Sequence, residues 1–252
     1  GGNGTNSGGI TVEMLRIVVE RSNSFDLPVG AKIVIAHAKS GFVRQQPAVR
    51  VGGSAFATTS KTSSLSLRNN TGRSAAIYLG CGGTKGRTRS NNVNELDVPG
   101  VLAAGTGRTT AFGGQTSSGT LAKTTATVEN LNLLDPDGPG VLPGLVTADL
   151  VRAVAKSTYG SGNGNASSQG SRFVNLRVAG APIAVDVAPN TRVDVPGVGF
   201  VRLYQRNLSS GASGASASVQ MIHLFVTEEN DFSLPVDTEL IVASAKSKAV
   251  PF

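Results

Sequence analysis

The sequence has one cysteine (Cys81), no tryptophan, two histidines and only 15% charged residues among its 252 positions. A single thiol excludes an intrachain disulfide and leaves either a buried sulfur or an intermolecular one. With Tyr 3 and Phe 9, the aromatic share is 5%, which leaves little material for sugar platforms or base stacking. The charged share lies well below the roughly 25% usual for soluble domains. No run of about 18 apolar residues occurs, so no helix able to span a bilayer is encoded. Gly, Ser, Thr, Val and Asn dominate where a helical protein would carry Leu, Glu, Lys and Ala. At 39%, the hydrophobic fraction is too high for a disordered tail.

Lys+Arg 23 against Asp+Glu 16 leaves a net charge of +7. The densest basic stretch, Lys85-Gly86-Arg87-Thr88-Arg89, has no interleaved aromatic residue. It reads as a solvated loop, and neither nucleic acid nor membrane insertion is expected. The sequence begins at Gly1 rather than Met, and four Asn-x-Ser/Thr sequons occur. We therefore expect an exported form with its signal peptide removed, against the alternative of a trimmed cytosolic protein.

An internal repeat organises the chain. Ile10–Ser40 (ITVEMLRIVVERSNSFDLPVGAKIVIAHAKS) and Ala217–Ser247 (ASVQMIHLFVTEENDFSLPVDTELIVASAKS) align without a gap at an offset of 207 residues. Identity holds at 12 of 31 positions, among them Val12/Val219, Met14/Met221, Asn23/Asn230, Phe25/Phe232, Leu27/Leu234 and Pro28/Pro235. Self-similarity over a fixed period outranks every local signal. Each copy reads as strand, turn, strand, with Val12–Val19 and Lys32–Ala38 as the strands of the first. Simple alternation puts Val12, Met14 and Val18 on one face and Leu15, Ile17 and Val19 on the other, so the strand is expected to be covered on both.

Between the repeats lie Pro-Gly corners, Val98-Pro99-Gly100-Val101 and Val195-Pro196-Gly197-Val198, with Leu142-Pro143-Gly144-Leu145 as a looser copy. Pro then Gly suits the two central positions of a type II turn. Leu145–Lys156 fits either a strand or an amphipathic helix, and its Val content favours a strand. Gly1–Gly9 reads as a flexible leader, and Gly160–Gly170 and Ser209–Ala217 as long mobile hairpin tips. The pattern predicts an all-β antiparallel sandwich, jelly-roll-like, with a β-hairpin arm at the N-terminus. The leader and arm span residues 1–44, and the main domain 45–252.

The order of several segments resembles the family of "choice-of-anchor P" proteins. These are Val98-Pro99-Gly100-Val101-Leu102, Ala126–Leu134, Gly144-Leu145-Val146-Thr147-Ala148-Asp149, Pro189-Asn190-Thr191 with Val195–Gly199, and the closing Met221-Ile222-His223 with Ala243–Ser247. The likeness covers roughly residues 52–247. It implies an exported, all-β bacterial surface protein and brings no catalytic residues. The sequence departs from that pattern in ending at Phe252 without an anchor and in carrying an extra hairpin at its start.

Catalytic constellations are thin. The repeat places Ser244 opposite His37 and Arg16 opposite His223, so both histidines read as sheet-surface residues before metal ligands. No G-x-S-x-G elbow occurs, and Gly80–Gly86 lacks the spacing of a phosphate loop. A Cys81–His pair remains open beside the reading of a buried or interface thiol. Asp135-Pro136-Asp137-Gly138 begins like a calcium loop, but no glutamate closes it, and a plain turn is the simpler reading. We expect no enzyme, cofactor or metal.

The functional expectation is a structural one: a secreted subunit of a cell-surface filament or matrix that assembles with itself. The arm would add to the sheet of a neighbouring subunit. Its interface residues would be Val12, Met14, Leu15, Ile17, Val19, Phe25, Leu27, Ile33 and Ile35, with Cys81 as the intermolecular thiol. The alternative is a monomeric adhesin or glycan-binding module that meets cell-wall or other surface polysaccharide.

Overall fold

A computed structural model describes residues 7–21, 29–30, 32–43, 50–64, 67–135 and 144–251. Those residues form antiparallel strands and no helix, as the shortage of helix formers predicts. Two compact units divide the chain, Gly1–Pro47 and Ala48–Phe252.

The first unit is a hairpin of β1 (Ser7–Val18) and β2 (Lys32–Val43). Its register runs from Ser7↔Val43 to Val18↔Lys32. Pairing thus begins inside the stretch expected to be a flexible leader. Among the described residues these two strands pair only with each other.

The second unit is a sandwich of two sheets. One sheet opens with β3 (Arg50–Ser64), β4 (Leu67–Thr71) and β5 (Ile77–Leu79). The chain then crosses to the other sheet for β6 (Arg89–Val93), β7 (Leu96–Val98), β8 (Leu102–Ala104), β9 (Gly107–Thr116) and β10 (Gly119–Leu133). That sheet continues with β11 (Val146–Gly160), β12 (Asn163–Ser167), β13 (Arg172–Val174), β14 (Arg177–Val178) and β15 (Ala181–Pro182). The first sheet is completed by β16 (Thr191–Val195), β17 (Gly199–Gly211), β18 (Gly214–Val226) and β19 (Thr238–Val250). Its order is β16-β17-β18-β19-β3-β4, so the last hairpin, β18–β19, lies in the middle between β17 and β3. The stretch Leu145–Lys156, ambiguous on periodicity, lies almost wholly in β11.

Faces packed against each other explain the composition. β10 and β11 lie over β18, β19 and β3, with Val128, Leu133 and Val151 meeting Leu203, Ile222 and Leu224 in one buried cluster. Small residues let the sheets approach. A Cβ on Gly53 would sit 3.1 Å from Thr124 Cγ2 of the facing sheet, and Ala243 and Ala245 have no exposed surface. Two hydrogen bonds tie the sheets together through this narrow zone. Thr124 Oγ1 donates to the Lys246 carbonyl at 2.9 Å, and the Ser157 and Ser247 hydroxyls meet at 2.8 Å. Buried polar groups are tolerated there because they are paired.

Two of the Pro-Gly corners are turns of the expected kind, while Leu142 and Pro143 of the looser third lie outside the described residues. Gly100 and Gly197 have φ of 73° and 71°, and the amides of Val101 and Val198 close on Val98 and Val195 at 2.9 and 3.1 Å. By contrast, the Gly/Ser-rich segments are strands nearly to their ends. Gly160 pairs with Asn163 and Gly211 with Gly214, leaving two-residue turns. Small residues serve close approach there rather than mobility, since a Cβ on Gly164 would meet the Gly214 carbonyl carbon at 2.4 Å.

Simple alternation fails in β18. The ladders around Met221 skip one level, with Leu203↔Ile222 and Gln205↔Gln220 on one side and Ile222↔Val242 and Gln220↔Ser244 on the other. At that level Tyr204 and Ala243 take left-handed backbone, φ 49° and 53°. The inward set therefore changes parity, from Val219 and Met221 to Ile222, Leu224 and Val226, all in one core. Five apolar residues that alternation divides between two faces thus share one, while Phe225, the repeat of Val18, lies outside that core, which corrects the expectation of a strand covered on both.

Candidate functional site

The hairpin β1–β2 reproduces β18–β19 in geometry as well as in sequence. Val12↔Ala38 corresponds to Val219↔Ala245, and Leu15↔Ile35 to Ile222↔Val242, residue for residue at the offset of 207. Both ladders skip the same level, Met14 with Ala36 and Met221 with Ala243. The turns close alike. The Gly30 amide donates to the Val19 carbonyl at 2.7 Å, and the Asp237 amide to the Val226 carbonyl at 2.9 Å. Gly30 and Asp237 share left-handed backbone, φ 92° and 67°. Within the second tip, Asn230 bonds the Leu234 carbonyl through Nδ2 and accepts from the Phe232 and Leu234 amides. That clamp accounts for an asparagine at this place in the repeat.

What separates the two copies is exposure. Val219, Met221, Ile222 and Leu224 are at most 1% exposed, whereas Val12 is 41%, Met14 76%, Leu15 48% and Ile17 42% exposed. Val19 is half-buried. Ile33 and Ile35 stand opposite Ile17 and Leu15 in the register. Phe25 and Leu27 lie outside the described residues. Cys81 is exposed on a turn whose carbonyl accepts from Val51 at 3.3 Å, so the buried-thiol reading falls.

Charged groups differ between the copies. Arg16 pairs with Glu13 at 3.9 Å in β1. At the place of Arg16, β18 carries His223, nearly buried, with Nε2 2.9 Å from Glu239 Oε2 and Nδ1 2.8 Å from the Gln205 side-chain amide. Both ring nitrogens are thus engaged, which leaves none for Cys81. Burial pushes the His223 pKa below its ordinary value of 6.5, against the hydrogen bond and charge of Glu239. The ring lies tilted against Phe225 at 4.0 Å between centroids, and Phe225 stacks on Phe200 at 4.8 Å. Arg192 lies 4.0 Å from the centroid of Phe200, and Arg202 5.3 Å from that of Phe225. This ladder of rings and cations covers the outer face of β16–β18 with few aromatics. Sequence reasoning missed it, because its members lie on strands whose pairing no spacing announces.

An apolar recess of about 270 Å³ opens between the Val98 corner and β19, lined by Val98, Leu133, Leu234 and Leu240, with Asp97 its one ionisable group among the described residues. Among the described residues no three of His, Cys, Asp and Glu come together.

A family model, described as a domain of unknown function and called DUF8256, matches residues 64–217, well over half of the chain. The chain belongs to this family. No curated protein and no solved structure matches it. The DUF8256 match runs from the end of β3 into the start of β18. It therefore stops where the second hairpin repeat begins, and the first repeat precedes it altogether. The two hairpins flank the DUF8256 region.

Proposed function

We propose that the chain is an exported structural protein of a cell-surface filament or matrix, in which the N-terminal hairpin pairs with another copy of the same domain. The exposure of Val12, Met14, Leu15 and Ile17 carries this reading, since their repeats are core residues. Together the four expose about two whole apolar side chains, whose burial is worth on the order of 4 kcal/mol. A two-stranded hairpin is marginal by itself and gains most from further strands. Pairing by main-chain hydrogen bonds suits β1, a twelve-residue strand that among the described residues pairs with β2 alone. The second unit offers poorer edges. β16 has five residues and displays an Arg192–Asp194 ion pair at 3.0 Å, a common guard against unwanted pairing.

Export and a bacterial cell surface are supported by the resemblance to choice-of-anchor P proteins. A glycan-binding role finds less support, because of three tyrosines only Tyr78 is well exposed. Negative-stain electron microscopy tests the reading. We expect regular polymers from the native protein and none after removal of residues 1–40, with the remainder still folded. Polymers that survive the deletion would overturn it.

A further inference from the structure

We infer that β1–β2 is the closing hairpin of another copy of this domain, one that precedes it in the same polypeptide. It fills there the slot between β17 and β3 that β18–β19 fills here. This rests on the reading that the arm pairs with a copy of the domain, and adds which strands receive it and where that copy lies.

The slot is defined by three partners. β18 pairs with β17 from Gly199↔Val226 to Gly211↔Gly214, β19 with β3 from Thr238↔Thr62 to Val250↔Arg50, and the facing sheet covers their inner side. The arm lacks all three among the described residues, yet has the register, the skipped level and the turn closure that the slot imposes. Close packing at the slot demands small residues at Ala243, Ala245 and Ser247, beside Gly53 and below Thr124 and Ser157. The repeat supplies Ala36, Ala38 and Ser40 there. Its larger core positions change only in shape, with Leu15 for Ile222 and Ile17 for Leu224, swaps that packed cores accept.

A copy in a separate molecule is the poorer acceptor. Its slot already holds its own β18–β19, so entry of the arm would break two full ladders to remake equivalent ones. A preceding copy presents the slot open, because its hairpin is the arm itself. Six residues, 44–49, separate β2 from β3, and a preceding copy would make domain, hairpin, link and domain recur at the 207-residue offset of the two hairpins.

The test joins a second copy of residues 48–216 directly before residue 10. Met14 and Met221 are the two methionines of the chain, so peroxide reads both hairpins at once. We expect Met14 oxidation to slow at least tenfold, towards the rate of Met221, and β1–β2 amides to exchange as slowly as those of β18–β19. Met14 as reactive as in the native chain would overturn the inference. A second variant needs no added domain: residues 10–40 replace 217–247 in the native chain. It should unfold cooperatively within about 10 °C of the parent, and failure to fold would count against the slot. Met14 left fully reactive in the fusion, while polymers of the native chain vanish on deleting residues 1–40, would keep the pairing reading and overturn the preceding copy.

Discussion

Two hairpins of one chain share 12 of 31 residues, one register and one turn closure, yet live in different surroundings. In β18–β19 the apolar stripe meets a facing sheet and is flanked by β17 and β3; in β1–β2 the same stripe is open. The difference teaches what a strand sequence encodes and what it borrows. Register and turn follow from local chemistry, since both copies reach them with different neighbours. Burial, and most of the stability that comes with it, is supplied by the strands on either side.

The sharpest break in the comparison is a truncation at equivalent positions. Leu224→Ala should cost about 3 kcal/mol in urea unfolding of the sandwich, as cavity-forming changes in packed cores do. Ile17→Ala, at the matching place in β1, should cost less than about 1 kcal/mol in the same experiment. Equal costs would show the two hairpins to be equally packed.

Next in size is the clamp at the second tip. Asn230→Ala removes side-chain bonds to Glu228, Phe232 and Leu234 and should cost about 1–2 kcal/mol. Thermal unfolding reads the loss.

His223 gives a pH-dependent difference that Arg16 cannot. Burial favours the neutral ring in the folded state, so the unfolded chain binds the proton more readily. The contribution of the neutral ring is complete above pH 6.5 and is lost as the pH falls below it. His223→Gln should flatten that part of the Tm profile between about pH 7 and 5, relative to the native chain. A parallel profile for the variant would sink the assignment.

Smallest is the turn residue. Asp237 holds left-handed backbone where the arm has Gly30. Asp237→Gly should therefore raise stability by about 0.5 kcal/mol, the relief of a strained side chain less the entropy of glycine. Differential scanning calorimetry resolves the sign.

Much of the fold was legible because its signals are chemical and local. Val and Thr in runs gave the strands, and Pro99-Gly100 and Pro196-Gly197 the corners, since only glycine takes φ near 70° without strain. The repeat was legible because it has no gap. The parity switch was not, because left-handed Tyr204 and Ala243 are set by packing across the sheet and leave no mark in composition. Gly160–Gly170 and Ser209–Ala217 misled for a related reason. Small residues mean mobility in a loop and close approach in a strand, and only the partner decides, as Gly164 against Gly214 shows. Of the candidate surface, Val12, Met14, Leu15 and Ile17 were named from the pattern, but their exposure depends on which strands stand beside them.

Amide hydrogen exchange on the native chain at submicromolar concentration tests the central claim most directly. The account predicts β18–β19 amides that exchange only with global unfolding of the sandwich and β1–β2 amides that exchange orders of magnitude faster. Equal protection of both hairpins in the isolated monomer would contradict it, because the arm would then have its flanking strands within the chain itself.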